Sequence, residues 1–238
     1  METIALRILC IFIGYFFGLL QTSYLYGKIK NIDIRDFGSG NAGTTNAMRV
    51  LGKKAGLITF LGDVLKAIIC TIVIYFIFIN YYDKDFVFIL RVYSGIGVIL
   101  GHNFPFYMGF KGGKGIAAAG GVILGLGDIK IILIELAIFI SIVAITRYVS
   151  LGSLMIMAGF LIEIIIFNEI GIVGFHNDMK FTGTERIEVY LMVFFIAALA
   201  WYKHRANIVR LLSGTENKIG SKKNTDSDEI SNENLNEN

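Results

Sequence analysis

The sequence predicts an all-α polytopic membrane protein with about seven transmembrane helices, its N-terminus outside and its C-terminus cytoplasmic. Three observations carry that prediction. The 238 residues are 55% hydrophobic, with a mean hydropathy of +0.64. Charged residues make up 17% of the chain, against about 25% in an average soluble domain, and they cluster so that long runs are almost free of charge. Runs of that length suit helices, because the strands of a membrane barrel would be short and alternating. Third, the basic residues are asymmetric. With the N-terminus outside, the inner segments hold fifteen of them: Lys28, Lys30, Arg35, Arg49, Lys53, Lys54, Lys111, Lys114, Arg147 and all six beyond residue 202. The outer segments hold five: Arg7, Lys84, Lys130, Lys180 and Arg186. An excess of Lys and Arg in short loops marks the cytoplasmic side.

The first helix is read over 4–26. It is not a cleavable signal, since it lacks a basic start and a small-residue cleavage site and its apolar stretch is too long. The second, 56–80, carries Asp63 and Lys66, which share a face and can pair. The third, 86–104, carries Arg91. The fourth, 114–127, is short and glycine-rich for a span that needs about 20 residues, and Gly120, Gly121 and Gly125 are read as packing positions. The fifth and sixth, 129–146 and 150–170, carry Glu135 and Glu163, and the seventh is 187–203. Charges at this depth are costly and point to a pairing or a function. Cys10 and Cys70 sit in apolar helices without a C-x-x-C, as buried thiols with no disulfide. Residues 1–214 form one integral-membrane domain. Residues 215–238 are polar and low in complexity and read as a disordered cytoplasmic tail.

Chemistry concentrates in three polar stretches, all on the basic side. The first, "DIRDFGSGNAGTTNAMRVLGKKAG" (33–56), matches G-x-G-x-x-G at Gly38, Gly40 and Gly43, with Asp63 twenty residues on. A dinucleotide site needs that fingerprint between an apolar strand and a helix. Here a charged juxtamembrane segment precedes it and Asp63 lies in a span, so the match is accidental. The loop still gathers Ser39, Asn41, Thr44, Thr45 and Asn46 among glycines whose backbone amides can turn inward to bind an anion, and Arg49 adds a fork suited to phosphate. A plain turn between helices would need only a few residues.

The second stretch is "GHNFPFYMGFKGGKGIAAAGG" (101–121). It fails the P-loop spacing, with Met108 at the first glycine and Gly115 at the Ser/Thr. Lys111 and Lys114 nevertheless flank Gly112 and Gly113 at a helix N-terminus, a physical cradle for phosphate. The third, "WYKHRANIVRLLSGTE" (201–216), places His204 and Asn207 three apart and so on one helical face. No role follows for His176. No histidine, cysteine or carboxylate cluster has metal-ligand spacing, so neither a metal nor a cofactor is expected. The basic face suits anionic substrates and lipid headgroups, and no nucleic acid partner is expected.

Taken in order, these stretches with "GDVLKA" and "RYVSLGSL" resemble the acyl-phosphate-dependent glycerol-3-phosphate acyltransferases of bacteria, the PlsY family, over residues 1–216. The alanine of "IAAAGG" stands where a threonine is common. The resemblance implies seven helices and acyl transfer from acyl phosphate to the sn-1 hydroxyl of glycerol 3-phosphate. The products would be lysophosphatidic acid and phosphate, made at the cytoplasmic face of the bacterial inner membrane. It implies catalytic roles for Ser39, Arg49, Lys114, His204 and Asn207. Substrate contacts would come from Gly38, Gly40, Asn41, Gly43, Thr45, Asn46, Lys111 and Gly113. Either lysine could hold phosphate, and the proton acceptor could be His204 or a substrate oxygen. Enzymes that make acyl phosphate or use lysophosphatidic acid are the implied partners. Thioester-using acyltransferases carry H-x-x-x-x-D, but here the fifth residue after each histidine is Tyr107, Phe181 or Val209. A transporter for phosphorylated metabolites is the competing class, and it would place its basic groups near mid-membrane.

Overall fold

The computed structural model describes residues 2–174 and 179–220; His176 and the tail beyond 220 lie outside them. Among the described residues ten α-helices follow one another: α1 Glu2–Gly18, α2 Thr22–Ile29, α3 Thr44–Leu51, α4 Lys53–Phe78, α5 Lys84–Asn103, α6 Ile116–Leu126, α7 Ile129–Thr146, α8 Val149–Ile170, α9 Gly183–Lys203 and α10 Arg205–Leu212. Local chemistry sets many boundaries. Asp83 caps α5 by accepting from the Phe86 amide at 2.9 Å, and Asp128 caps α7 by accepting from the Lys130 amide at 3.1 Å. Gly127, at φ +82°, turns the chain between α6 and α7.

Helix α5 is the centre, with fifteen of its 20 residues buried. Its contact with α1 is built from glycine. Gly14 and Gly18 of α1 face Gly97 and Gly101 of α5, and a Cβ on any of the four would overlap backbone of the other helix. Two small-x-x-x-small faces in register allow this approach. The α6–α4 contact works likewise, since side chains on Gly121 and Gly125 would overlap the Val64 carbonyl and Thr71. Gly120, expected to pack, has open space beside it. Outward faces are apolar: Ile8, Phe12 and Phe16 on α1, Leu61 and Leu65 on α4, and Leu133, Leu136 and Ile140 on α7 are all exposed. Among the described residues five stretches are long and apolar enough to cross a membrane: 3–29, 53–78, 84–108, 129–146 and 149–170. Helix α6 is apolar but has only 11 residues. Helix α9 has 21 and carries Glu185, Arg186, Glu188 and Lys203.

Two expectations need correction. The helix read over 4–26 breaks at Leu19–Gln21. Lys66 takes the Leu20 carbonyl at 2.7 Å, and the buried Gln21 amide donates to Gly18 and His102 carbonyls at 3.2 and 2.9 Å. These carbonyls satisfy side chains, so the helical ladder is interrupted there. Second, Lys114 precedes α6 rather than lying in it, because Gly115 caps that helix at φ +82°. The Asp63–Lys66 pair forms as the spacing predicts, at 2.9 Å. At the opposite end of the bundle Arg7 pairs with Glu188, and Tyr93 donates to Glu188 at 2.8 Å.

Candidate active site

The first glycine segment is shaped from within. Asn46 is buried in the first turn of α3. Its Oδ1 accepts from the Ser39 amide at 2.9 Å, and its Nδ2 donates to the Ile34 and Phe37 carbonyls at 3.0 and 3.1 Å. Gly38 and Gly40 turn the chain there at φ +64° and +68°, and a Cβ on Gly38 would overlap Asn46 Oδ1. The Asn46 amide thus shapes the loop from within. Ser39, Thr45 and Arg49 are exposed, Asn41 is half-buried, and Gly43 is buried at the start of α3. Arg35 pairs with Asp33 at 2.7 Å and donates to the Met108 carbonyl at 2.9 Å, tying this segment to the second.

The second segment folds back on the end of α5. The Gly112 and Gly113 amides donate to the Asn103 and His102 carbonyls at 3.2 and 3.1 Å. A Cβ on Gly113 would overlap His102 Nε2 and lie 2.8 Å from the Ala42 carbonyl oxygen. Glycine at 113 is therefore what lets the two segments meet. The structure separates the two lysines. Lys111 is exposed, whereas Lys114 is half-buried and donates to Asn207 Oδ1.

The third segment closes the site. Helix α9 stops at Lys203; His204 ends it and caps α10, its carbonyl accepting from the Ile208 amide at 2.9 Å, and Asn207 lies three residues on in the first turn of α10. His204 is 3% exposed, with Nδ1 2.8 Å from the Ala200 carbonyl oxygen. A carbonyl only accepts, so Nδ1 carries the hydrogen and Nε2 keeps a lone pair. Asn207, 6% exposed, donates at 2.9 Å to Glu216 Oε1. Glu216 also accepts from Ser150 Oγ at 3.1 Å and Arg210 Nε at 2.7 Å. This carboxylate lies two residues beyond the domain boundary drawn at 214. Nothing in its polar surroundings in the sequence marks it, apart from its place at the end of the third stretch.

Electrostatics show what converges. Burial, then the positive charges of Arg210, Lys203 and Arg49, push the Lys114 amine down to about 8, with Glu216 opposing. Burial and the Lys114 charge push His204 down to about 4. The site is thus a concentration of cations, with glycine backbone beside it, held in place by one acidic anchor. Such a constellation binds phosphate, and His204 within it is neutral at pH 7. Among the described residues no group of three or more His, Cys, Asp or Glu could hold a metal.

Comparison with known proteins agrees with this chemistry. The family model described as glycerol-3-phosphate acyltransferase matches residues 8–214. The glycerol-3-phosphate acyltransferase of Clostridioides difficile (strain 630) is 42% identical over 217 residues, covering 89% of this chain and 94% of the relative. That of Chlorobium phaeobacteroides is 42% identical over 221 residues, covering 87% and 94%. Among solved structures, the glycerol 3-phosphate form of PlsY (YgiH), an integral membrane glycerol 3-phosphate acyltransferase, superposes with a TM-score of 0.72 at 30% identity, covering 92% of this chain and 96% of that one. Its lysophosphatidic acid form gives 0.71 at 30%, covering 90% and 95%. The match runs through all three polar segments and nearly the whole bundle, and the chain belongs to the glycerol-3-phosphate acyltransferase family.

Proposed function

We propose that this acyltransferase moves an acyl group from acyl phosphate to the sn-1 hydroxyl of glycerol 3-phosphate, giving lysophosphatidic acid and phosphate at the start of phospholipid synthesis. One observation carries the reading: Lys114, held by Asn207, lies among Arg49, Arg210 and Lys203 where two glycine segments touch. Donor and acceptor each bring a phosphate, and a cationic site with glycine backbone beside it suits both. The hydroxyl oxygen attacks the acyl carbon, the bond from that carbon to the phosphate oxygen breaks, and phosphate leaves with the electron pair. Arg49 and Lys114 hold the phosphates, while the Ser39 hydroxyl stabilises charge developing in the transition state; the Ser39, Gly40 and Gly43 amides already donate to Asn46 Oδ1 and to the Phe37 and Asn41 carbonyls. Asn41 and Thr45 line the acceptor side. A histidine ionising at about 4 is a weak base at pH 7, which favours His204 as an orienting group, with the hydroxyl proton passing to a donor phosphate oxygen.

The placement in the membrane is part of the same reading. Helices α6 and α9 join the five long apolar stretches to make seven crossings. The N-terminus is outside, and the site faces the cytoplasm of the bacterial inner membrane. Residues beyond Gly220 carry no catalytic duty. Enzymes that make acyl phosphate or consume the product are the partners this chemistry requires. The decisive assay uses purified protein in detergent with acyl phosphate and glycerol 3-phosphate. Phosphate release that depends on both substrates is expected, and its absence would overturn the reading. Orientation is tested with an impermeant thiol reagent on intact cells: a cysteine at Lys84 should react and one at Lys53 should not, while the reverse labelling would refute the topology.

A further inference from the structure

Beneath the two glycine segments lies a buried ionisable cluster that the proposed chemistry does not use. Asp63 and Lys66 on α4 and His102 near the end of α5 are 1%, 3% and 3% exposed. Lys66 Nζ donates to Asp63 Oδ1 at 2.9 Å and to the Leu20 carbonyl at 2.7 Å, and lies 2.9 Å from His102 Nδ1. Asp63 Oδ1 also accepts from Thr22 Oγ1 at 3.5 Å. The cluster therefore fastens the α1–α2 break to α4 and to the imidazole. The far side of that imidazole, Nε2, is packed against Gly113, beside the Ala42 carbonyl of the first segment. The His102 carbonyl in turn accepts from the Gly113 amide at 3.1 Å and from Gln21 Nε2 at 2.9 Å.

We propose that Asp63, Lys66 and His102 form a positioning unit that sets the separation of the two glycine segments, with His102 held as its neutral Nε2–H tautomer by Lys66 at Nδ1. An ammonium has three hydrogens to donate and no acceptor site. Its three near partners are the Leu20 carbonyl at 2.7 Å and Asp63 Oδ1 and His102 Nδ1 at 2.9 Å, while the Gly18 carbonyl is farther at 3.4 Å and Asp63 Oδ1 lies 3.5 Å from Nδ1; the third hydrogen goes to Nδ1, which then offers its lone pair. The hydrogen left on the ring sits on Nε2, facing Gly113. None of the three side chains needs to touch substrate. They act through the backbone of Gly113, which precedes Lys114, and through its neighbour Ala42. A shift of about 1 Å in a positioned group can cost a factor on the order of 10² in rate, so a rigid base beneath the segments has kinetic value. The inference rests on reading those segments as the phosphate site.

The test uses the full chain in detergent, with kcat, KM for each substrate and melting temperature measured together. The paired variant Asp63→Leu/Lys66→Met removes both buried charges at once, so that neither is orphaned; such replacements are often neutral or stabilising. The expected result is a kcat at least tenfold lower, a melting temperature within a few degrees of the parent, and a smaller change in KM. His102→Gln, which keeps an N–H near the Nε2 position, should retain more activity than His102→Ala, and it serves as the second variant if the paired one does not fold. In addition, the effects of His102→Ala and Gly113→Ala should be less than multiplicative when combined, since they act on one contact. Imidazole nitrogen spectra of labelled protein should show His102 as the Nε2–H tautomer in the parent, altered in Lys66→Met. An active parent with kcat within twofold in both the paired variant and His102→Ala would overturn the positioning unit and leave the acyltransfer reading standing. An inactive parent would sink the acyltransfer reading instead. The tautomer spectrum then still judges the cluster, and an Nδ1–H imidazole would refute it.

Discussion

Truncating Glu216 to alanine should disable the enzyme although, among the predicted site residues, the side chain bonds only to Asn207. The carboxylate side chain is 7% exposed and accepts three hydrogen bonds, from Asn207, Ser150 and Arg210. The Arg210 side chain is 37% exposed and can turn to water, so its share is at most about 1 kcal/mol. The other two are bonds from buried donors to a charged acceptor, worth roughly 1.5–3 kcal/mol each. Within one network these do not sum fully, and a loss of about 3–5 kcal/mol is the working figure, as for breaking a buried pair. If about 2.7 kcal/mol of that appears as misorientation of Asn207 and Lys114, kcat/KM falls about a hundredfold. Glu216→Gln, which keeps one acceptor oxygen, should fall between the alanine variant and the parent. Truncation after Thr215 should behave like the alanine variant, whereas truncation after Gly220 should leave activity intact. The assay is phosphate release in detergent alongside thermal unfolding. Glu216→Ala with kcat/KM within threefold of the parent and an unchanged melting temperature would refute the anchoring role.

Arg49→Ala should lower kcat/KM roughly ten- to a hundredfold, the loss of one charge-assisted phosphate contact; near-normal kinetics in folded protein would remove Arg49 from the site. The Lys114 amine ionises at about 8, so kcat/KM for glycerol 3-phosphate should decline as pH rises through about 8. Lys114→Arg should remove that limb while lowering the plateau, and a limb that persists would assign it elsewhere. His204 ionises at about 4 in the folded chain, against about 6.5 unfolded. The unfolded state therefore binds the extra proton, and stability is lost as pH falls from about 6.5 towards 4, by up to about 3 kcal/mol. Acid unfolding of His204→Gln should lack that component, and an identical acid profile would count against a neutral buried imidazole.

Hydropathy located the helices well because lipid-facing and core-facing residues are alike apolar here, so long runs stand out whichever way they point. The same sameness hid the break at Leu19–Gln21. One glutamine in an apolar run looks tolerable, and only Lys66, more than forty residues away, reveals that the carbonyls are needed elsewhere. The three polar stretches were legible from composition, but not the division of labour within them. Asn41 and Asn46 look equivalent in sequence. In space Asn46 turns inward to Ile34, Phe37 and Ser39, while Asn41 stays at the surface of the loop. Lys111 and Lys114 likewise look alike in sequence, whereas in space Lys114 is half-buried and bound to Asn207 and Lys111 is exposed. Glu216 sits at the edge of a low-complexity tail whose composition masks it, and His102 looks like a residue of the loop border until α4 is seen to pack beneath it.

The glycine contact between α1 and α5 has a consequence for how the chain is made. α1 ends at Gly18 and its partner face is Gly97 and Gly101, so residues 19–101 must be synthesised before that face exists. At about 5–20 residues per second, α1 waits for roughly 4–17 s with its bare glycine stripe turned to lipid. During that interval any passing helix with a small-residue face is a competitor for the same groove. Assembly of this enzyme therefore begins with a vulnerable intermediate, and insertion of α5 is the step that rescues it.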